Sequence, residues 1–201
     1  MDVNETFNCK LNYGETEEYK SLKILQGKLP DYKVFRTNQE PGHPDRNTYK
    51  TADIVVAKTS ANCNSKATFE GSNGGVNGGS NEGVNEVSST FFCVECKLNT
   101  QFYKKCHIHN SWSGVNNVVI NTESLRRYVQ ADFTIYILSH QKFEEVGCDH
   151  YRFWPISKII KGRKPGVMDF HGVKKLNFDA TDWYYADTLE EALEQIIKLE
   201  I

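Results

Sequence analysis

Apolar positions along the chain follow two periods. Between residues 16 and 29, Tyr19, Leu22, Leu25 and Leu29 recur at three- and four-residue spacing, which predicts an amphipathic helix that Pro30 stops. Residues 32–36 (YKVFR) predict a strand. A polar loop with Pro41 and Pro44 follows, then two compact apolar runs, 52–57 (ADIVVA) and 90–96 (TFFCVEC), which predict buried strands. Residues 122–129 suit a helix and 133–138 (FTIYIL) a further buried strand. Residues 151–160 combine a strand with a turn at Pro155. Near the end, Thr188 with Glu191 three residues on makes a capping box, and Leu189, Ala192, Ile196 and Ile197 form the buried stripe of a last helix. Helix, three-strand meander, helix and strand together predict an α/β domain with a mixed β-sheet flanked by helices.

One stretch breaks the pattern. Residues 71–83 (GSNGGVNGGSNEG) hold glycine and polar side chains almost alone. Such a segment buries too little apolar surface to offset its ordering entropy, so residues 60–89 are expected to be a disordered Gly/Asn-rich hairpin insertion. The runs on either side are expected to pair. That makes 1–201 a single domain rather than two domains with a linker.

Composition narrows the class further. The chain has 201 residues, 39% apolar and 25% charged, with 24 basic against 26 acidic side chains and a formal charge of −2. The balance excludes gripping nucleic acid by bulk basicity but leaves room for a local basic groove. No apolar run approaches the roughly 20 residues of a membrane span, and the opening residues lack the basic-then-apolar pattern of a signal peptide. Irregularly spaced cysteines (six in all) fit reduced thiols. These observations predict a cytoplasmic protein with no membrane association.

The chemistry sits on two of the predicted strands. Asp53 opens one run, and Glu95 and Lys97 close the other. Strand side chains alternate faces, so Glu95 and Lys97 share one. If the two runs form an antiparallel hairpin, Asp53 lies beside Glu95, with the glycine-rich insertion at the far tip, roughly 13–17 Å away at the usual strand rise. Carboxylates at the ends of apolar strands are costly unless paired or bound to a cation. A hard divalent ion relieves their repulsion and neutralises charge building on a phosphate, while Lys97 is placed to orient or help deprotonate an attacking water or to stabilise the phosphate.

This arrangement resembles the PD-(D/E)xK nuclease superfamily: Asp53, a hairpin, then Glu95-Cys96-Lys97, framed by an upstream helix and a downstream helix and strand. The resemblance covers roughly residues 15–140. It implies a restriction-endonuclease-like fold and Mg²⁺ (or Mn²⁺) held by Asp53, Glu95 and the main-chain carbonyl of Cys96, with Lys97 catalytic. It also implies a DNA endonuclease, a type II restriction or defence nuclease, acting on double-stranded DNA as a homodimer. A Holliday-junction or repair nuclease is the alternative within the class, and a non-catalytic nucleic-acid-binding relative the alternative outside it. The sequence departs from the pattern in that its literal Pro-Asp pair is Pro44-Asp45. Asp53 is preferred because a strand follows it directly, with Asp45 as the fallback. Nucleases of this fold often carry a helix glutamate near the metal. On the helical wheel Glu18 falls within the arc of Leu22, Leu25 and Leu29, while Glu17 points away, so Glu18 is a possible further ligand.

Other signals are weaker. Cys93, Cys96, Cys106 and His109 have zinc-like spacing, but the first two lie in a strand and project to opposite faces, which favours buried core thiols. No Gly-x-Ser-x-Gly or P-loop is present. Lys104, Lys105, Arg126, Arg127, Lys158, Lys161, Arg163 and Lys164 are candidate DNA phosphate contacts, the last four on an exposed basic loop. Trp112, Trp154, Trp183, Tyr184 and Tyr185 are expected in the core.

Overall fold

The computed structural model describes residues 3–37, 52–58, 91–99, 116–143, 147–170 and 172–201. The chain opens with helix α1 (Val3–Lys28) and strand β1 (Tyr32–Arg36), followed by β2 (Ile54–Lys58) and β3 (Phe91–Asn99). Next come β4 (Asn117–Asn121), α2 (Thr122–Val129), β5 (Thr134–Phe143) and β6 (Cys148–Pro155). The short α3 (Ile156–Ile159), β7 (Gly166–Phe170), β8 (Val173–Asp179), β9 (Tyr184–Ala186) and α4 (Leu189–Glu200) complete the order.

Among the described residues six strands form one sheet in the order β1-β2-β3-β5-β6-β9, and β4-β8-β7 form a second. The expected antiparallel meander of the first three strands is present. β3 and β5 pair in parallel, the one parallel pair among the described residues of a mostly antiparallel mixed sheet, because β4 and α2 carry the chain across between them. The expected strand ending at Pro155 is also observed. The chain then turns directly into α3.

Period-two alternation sorts the large sheet's side chains into two cores. Ile54, Val56, Phe92, Val94, Tyr136, Leu138 and Phe153 face α1 and α4, where Leu25, Leu29, Leu189, Leu193 and Ile196 meet them. Val55, Cys93, Ile135 and Ile137 face the other way, onto Tyr128 of α2, Ile156 and Ile159 of α3, and Val118, Ile120 and Phe178 of the small sheet. Cys93 and Cys96 therefore lie on opposite faces, as their strand spacing predicts.

α4 starts at the expected cap. The Thr188 hydroxyl accepts the Glu191 backbone N–H at 3.2 Å, and the Glu191 carboxylate accepts the Asp187 N–H at 3.0 Å. α1 begins well before residue 16, and its buried stripe differs from the apolar wheel. Tyr19 is exposed, while Glu17, Ser21, Leu25 and Leu29 turn inward at four-residue spacing. The polar half of that stripe lies against polar groups of the sheet, which apolar periodicity does not register. The 60–89 insertion, Asp45, Lys104, Lys105, Cys106, His109 and Trp112 lie outside the described residues.

Candidate active site

The β1–β2 ladder runs one step past β2. Thr37 donates its N–H to the Asp53 carbonyl at 3.0 Å and its hydroxyl to the Ala52 carbonyl, which fixes the backbone where Asp53 enters the sheet. Because Ile54 is paired with Val94 and Val55 with Cys93, the antiparallel register continues to put Asp53 opposite Glu95. Asp53 shares the face of Val55, and Glu95 and Lys97 share the face of Cys93, so all three project toward α2 and α3.

Both carboxylates are taken out of water, Asp53 and Glu95 each being 2% exposed. Two buried like charges require compensation. Asp53 Oδ2 accepts the Cys96 backbone N–H at 2.8 Å, and the Lys97 ammonium donates to Glu95 Oε1. Burial pulls the Lys97 ammonium down, but Glu95 and Asp53 outweigh it and hold the group above the usual lysine value. Lys97 is therefore a fixed cation beside the pair, while its side chain stays 30% open to solvent.

Cys96 contributes backbone rather than sulfur. Its side chain points to the other face, where Sγ lies 3.7 Å from Ser21 Oγ. Burial, and then the charge of Asp53, push its thiol well above the ordinary range, so it stays protonated. In an extended strand the N–H and C=O of one residue point to the same side. Since the Cys96 N–H reaches Asp53, its carbonyl also faces that side. Two carboxylates and a carbonyl are oxygen donors of the kind that hard divalent cations take.

Glu18 does not join them as a third carboxylate. It is held by Arg36 at 2.5 Å, and among the described residues no three His, Cys, Asp or Glu side chains converge closely enough to share a metal ion. Glu17, expected to point away, is instead buried. It accepts the Tyr151 hydroxyl at 3.1 Å and pairs with Lys20 at 3.1 Å, with His140 Nδ1 3.7 Å away on the α1 face of the sheet.

The basic residues divide into two groups. Arg126 and Arg127 occupy the last turn of α2, and Lys161 and Lys164 lie exposed after α3. Lys158 donates to the Tyr184 hydroxyl at 2.6 Å, and Arg163 pairs with Asp179 at 3.1 Å and Asp182 at 3.4 Å, which offsets its charge. Trp183 is buried and stacks with Trp154, but Tyr185 is 45% exposed on the edge strand β9 rather than in the core.

Two features of the site are absent from the sequence reading. Tyr128, 4% exposed, packs from α2 into the core on the face of Glu95. Burial, and then the charge of Glu95, raise the phenol far above its usual range, so it remains neutral. Its signal was present in the sequence, as a tyrosine three residues after Leu125 on the inward side of a short helix. The second feature is a buried amide layer that continues the face of β3 past Lys97. Asn99 donates to Gln141 Oε1 at 3.1 Å and to the Asn117 carbonyl, and Gln141 donates to Ser139 Oγ at 2.8 Å. Ser139 and Gln141 alternate in β5 after the apolar run, a polar pattern that extends the strand beyond residue 138.

The fold and site define a mixed α/β protein with a buried carboxylate pair and a lysine at the junction of an antiparallel and a parallel strand pair. Comparison with family models, curated proteins and solved structures finds no match.

Proposed function

We propose that this protein is a Mg²⁺-dependent DNA endonuclease of the restriction-endonuclease-like fold, with Asp53, Glu95 and Lys97 as its catalytic residues. The observation that supports it is the pairing of two buried carboxylates with one retained ammonium at the ends of apolar strands. A purely structural site has little reason to keep two adjacent carboxylates in a core where apolar side chains would be as stable.

Asp53, Glu95 and the Cys96 carbonyl would hold the cation, and Mg²⁺ bound there supplies charge neutralisation at a phosphate. Hydrolysis breaks one phosphorus–oxygen ester bond and forms another to a water oxygen, and negative charge builds on the non-bridging oxygens. Lys97, protonated and partly open to solvent, donates hydrogen bonds to those oxygens or to the attacking water. Glu95 orients the ammonium, and the Cys96 N–H orients Asp53. The basic ends of α2 and α3 lie on the same side of the sheet as the three residues and supply phosphate contacts.

The test is incubation of the protein and of Lys97→Ala with plasmid and branched DNA, with and without Mg²⁺. Loss of one transition-state donor is expected to slow cleavage by about 10²–10³. Discrete plasmid fragments identify a restriction or defence enzyme, and cleavage of junctions alone a resolvase. Mg²⁺-dependent DNA binding without cutting identifies a non-catalytic relative. Equal cutting by Lys97→Ala, or none by the wild type, overturns the proposal.

A further inference from the structure

Polar side chains continue across the sheet from the carboxylate site to its far edge. Lys97 pairs with Ser139, Ser139 with Arg152 and Arg152 with Tyr185, so the four share one level and one face. Arg152 therefore stands two strands, roughly 10 Å, from Lys97, with the fully buried Ser139 between them. β9 pairs with Tyr151–Phe153 of β6, so His150 and Cys148 lie on a stretch of β6 with no strand beyond it among the described residues. Cys148, His150 and Arg152 are half-buried and Tyr185 is exposed, which leaves the cluster open to solvent at the sheet edge.

Arg152 is held in place without being neutralised. Its Nη1 donates to the Thr181 carbonyl at 3.3 Å and the Trp183 carbonyl at 3.2 Å, and the guanidinium lies 4.9 Å over the Tyr185 ring. The three carboxylates whose charges reach Arg152 or His150 are engaged elsewhere: Asp179 with Arg163, Asp149 with His140, and Asp187 with the Tyr185 hydroxyl. The other edge of the guanidinium carries Nε and Nη2, and among the described residues neither makes a hydrogen bond, although Nε is buried. That edge presents the two parallel N–H groups that match an oxyanion bidentately. A charge taken partly out of water is costly until an anion meets it.

His150 adds a third donor beside it. Burial, and then the charge of Asp149, hold the Cys148 thiol above its usual value, so it keeps its proton. The nearer of its two acceptors is His150 Nδ1 at 3.2 Å, against the Gln141 carbonyl at 3.6 Å. A thiol that donates to Nδ1 leaves the ring hydrogen on Nε2. Nε2 is also buried with no partner among the described residues. His150 and Arg152 share a strand face at a spacing of two, and both pack on the Tyr185 ring, whose centroid is 5.0 Å from that of the imidazole. Three donors with no acceptor among them call for an oxyanion. A carboxylate spends both its oxygens on the guanidinium edge, whereas a tetrahedral phosphate keeps another for Nε2.

We infer that Arg152 and His150 form a phosphate-binding site at the β6–β9 edge, with Arg152 gripping two oxygens side-on and His150 Nε2 donating to a third. Tyr185 and the two loop carbonyls orient the guanidinium, and Cys148 orients the imidazole. The site is separate from Asp53, Glu95 and Lys97 and does not depend on the nuclease reading. The phosphate belongs either to a small phosphate-bearing molecule or to a nucleic-acid backbone.

The experiment follows the His150 and Tyr185 ring resonances of the full-length protein by NMR at pH 7.5 in EDTA. Inorganic phosphate, sodium chloride at matched ionic strength and a short DNA duplex are titrated into the wild type, Arg152→Lys and His150→Phe. The wild-type resonances are expected to shift saturably with phosphate and not with chloride. Arg152→Lys keeps the charge but loses the two-oxygen edge, and His150→Phe keeps a ring on Tyr185 but loses Nε2. Each is expected to bind roughly tenfold more weakly, the scale of one hydrogen bond to a charged group. A duplex that reproduces the shift identifies the source as backbone phosphate, and a shift given by inorganic phosphate alone identifies a small phosphate-bearing ligand. The same shift in chloride, no shift with either phosphate or duplex, or wild-type affinity in Arg152→Lys overturns the site. If thermal unfolding shows that Arg152→Lys does not fold, wild-type affinity in His150→Phe overturns it instead.

Discussion

Around His150, Cys148 Sγ lies 3.2 Å from Nδ1, and the Tyr185 ring stands 5.0 Å away, centroid to centroid, with Arg152 over its own side of that ring. Burial, and then the Arg152 charge, lower the His150 pKa below the ordinary value, and Asp187 and Asp149 only partly oppose them. In the unfolded chain this histidine takes up a proton as pH falls through about 6.5. The folded protein resists it until a lower pH, so in that window the unfolded state binds more protons and stability falls with falling pH. Urea unfolding at pH 7.5 and 5.5 is expected to show a smaller pH loss for His150→Asn than for the wild type. An equal loss in the two proteins refutes this assignment. Such a residue was not legible in the sequence, because its environment is assembled from β6 and β9, which the chain separates by more than thirty positions. Asp53, Glu95 and Lys97 were legible because strand alternation and one hairpin pairing suffice to bring them together. Glu17 was misjudged for the opposite reason. Its partners Tyr151 and His140 come from other strands, and a helical wheel built from leucines cannot weigh a hydroxyl that will meet a carboxylate.

Between elements, the two sheets are joined where β3, β4 and β5 meet. Gln141 is fully buried there and donates to Ser139, while Asn99 donates both to Gln141 and to the Asn117 carbonyl at the start of β4. The small sheet is thus tied to the large one by amides at one end and by Val118, Ile120 and Phe178 along its core face. Gln141→Leu keeps the volume but removes both ends of the amide, leaving the Ser139 and Asn99 groups to find other partners. It is expected to cost about 1–3 kcal/mol, read as a lower denaturation midpoint at unchanged slope, and wild-type stability would refute the clamp. β2, β3, α2, β5 and α4 were readable from periodicity or caps because each is apolar enough to declare a period. β4, β7 and β8 were not, since β4 and β7 are only five residues long and β8 carries Lys175, Asn177 and Asp179 at alternate positions, which leaves all three recognisable only by their ladder partners. Their absence from the sequence reading also hid the layer that covers the face of Glu95 and Lys97.

At the scale of the whole molecule, the helices on the two faces of the large sheet differ in charge, although on the α4 side Lys28 of α1 pairs with Glu190 and Glu194. α4 on one face carries Glu190, Glu191, Glu194 and Glu200 against Lys198. On the other face α2 ends in Arg126 and Arg127, and α3 with the turn after it carries Lys158, Lys161, Arg163 and Lys164. Asp53 and Glu95 lie buried beneath that face and Lys97 is partly open there, so a formal charge of −2 is compatible with a polyanion approaching from one side. The contributions of the basic side chains are unequal. Asp179 and Asp182 already offset Arg163, and Lys158 is committed to Tyr184, whereas Lys161 and Lys164 are exposed. Affinity for a random-sequence duplex, measured by fluorescence anisotropy in EDTA across a salt series, is therefore expected to depend on those two lysines. Their combined replacement by alanine should weaken binding and reduce the slope of log K against log salt by about 0.9 per lysine. Arg163→Ala should change the slope less, because its loss also releases two carboxylates, and Lys198→Ala on the acidic face should change nothing. If the slope is the same with and without Lys161 and Lys164, the duplex does not lie on this face, and the phosphate contacts must be sought elsewhere on the molecule.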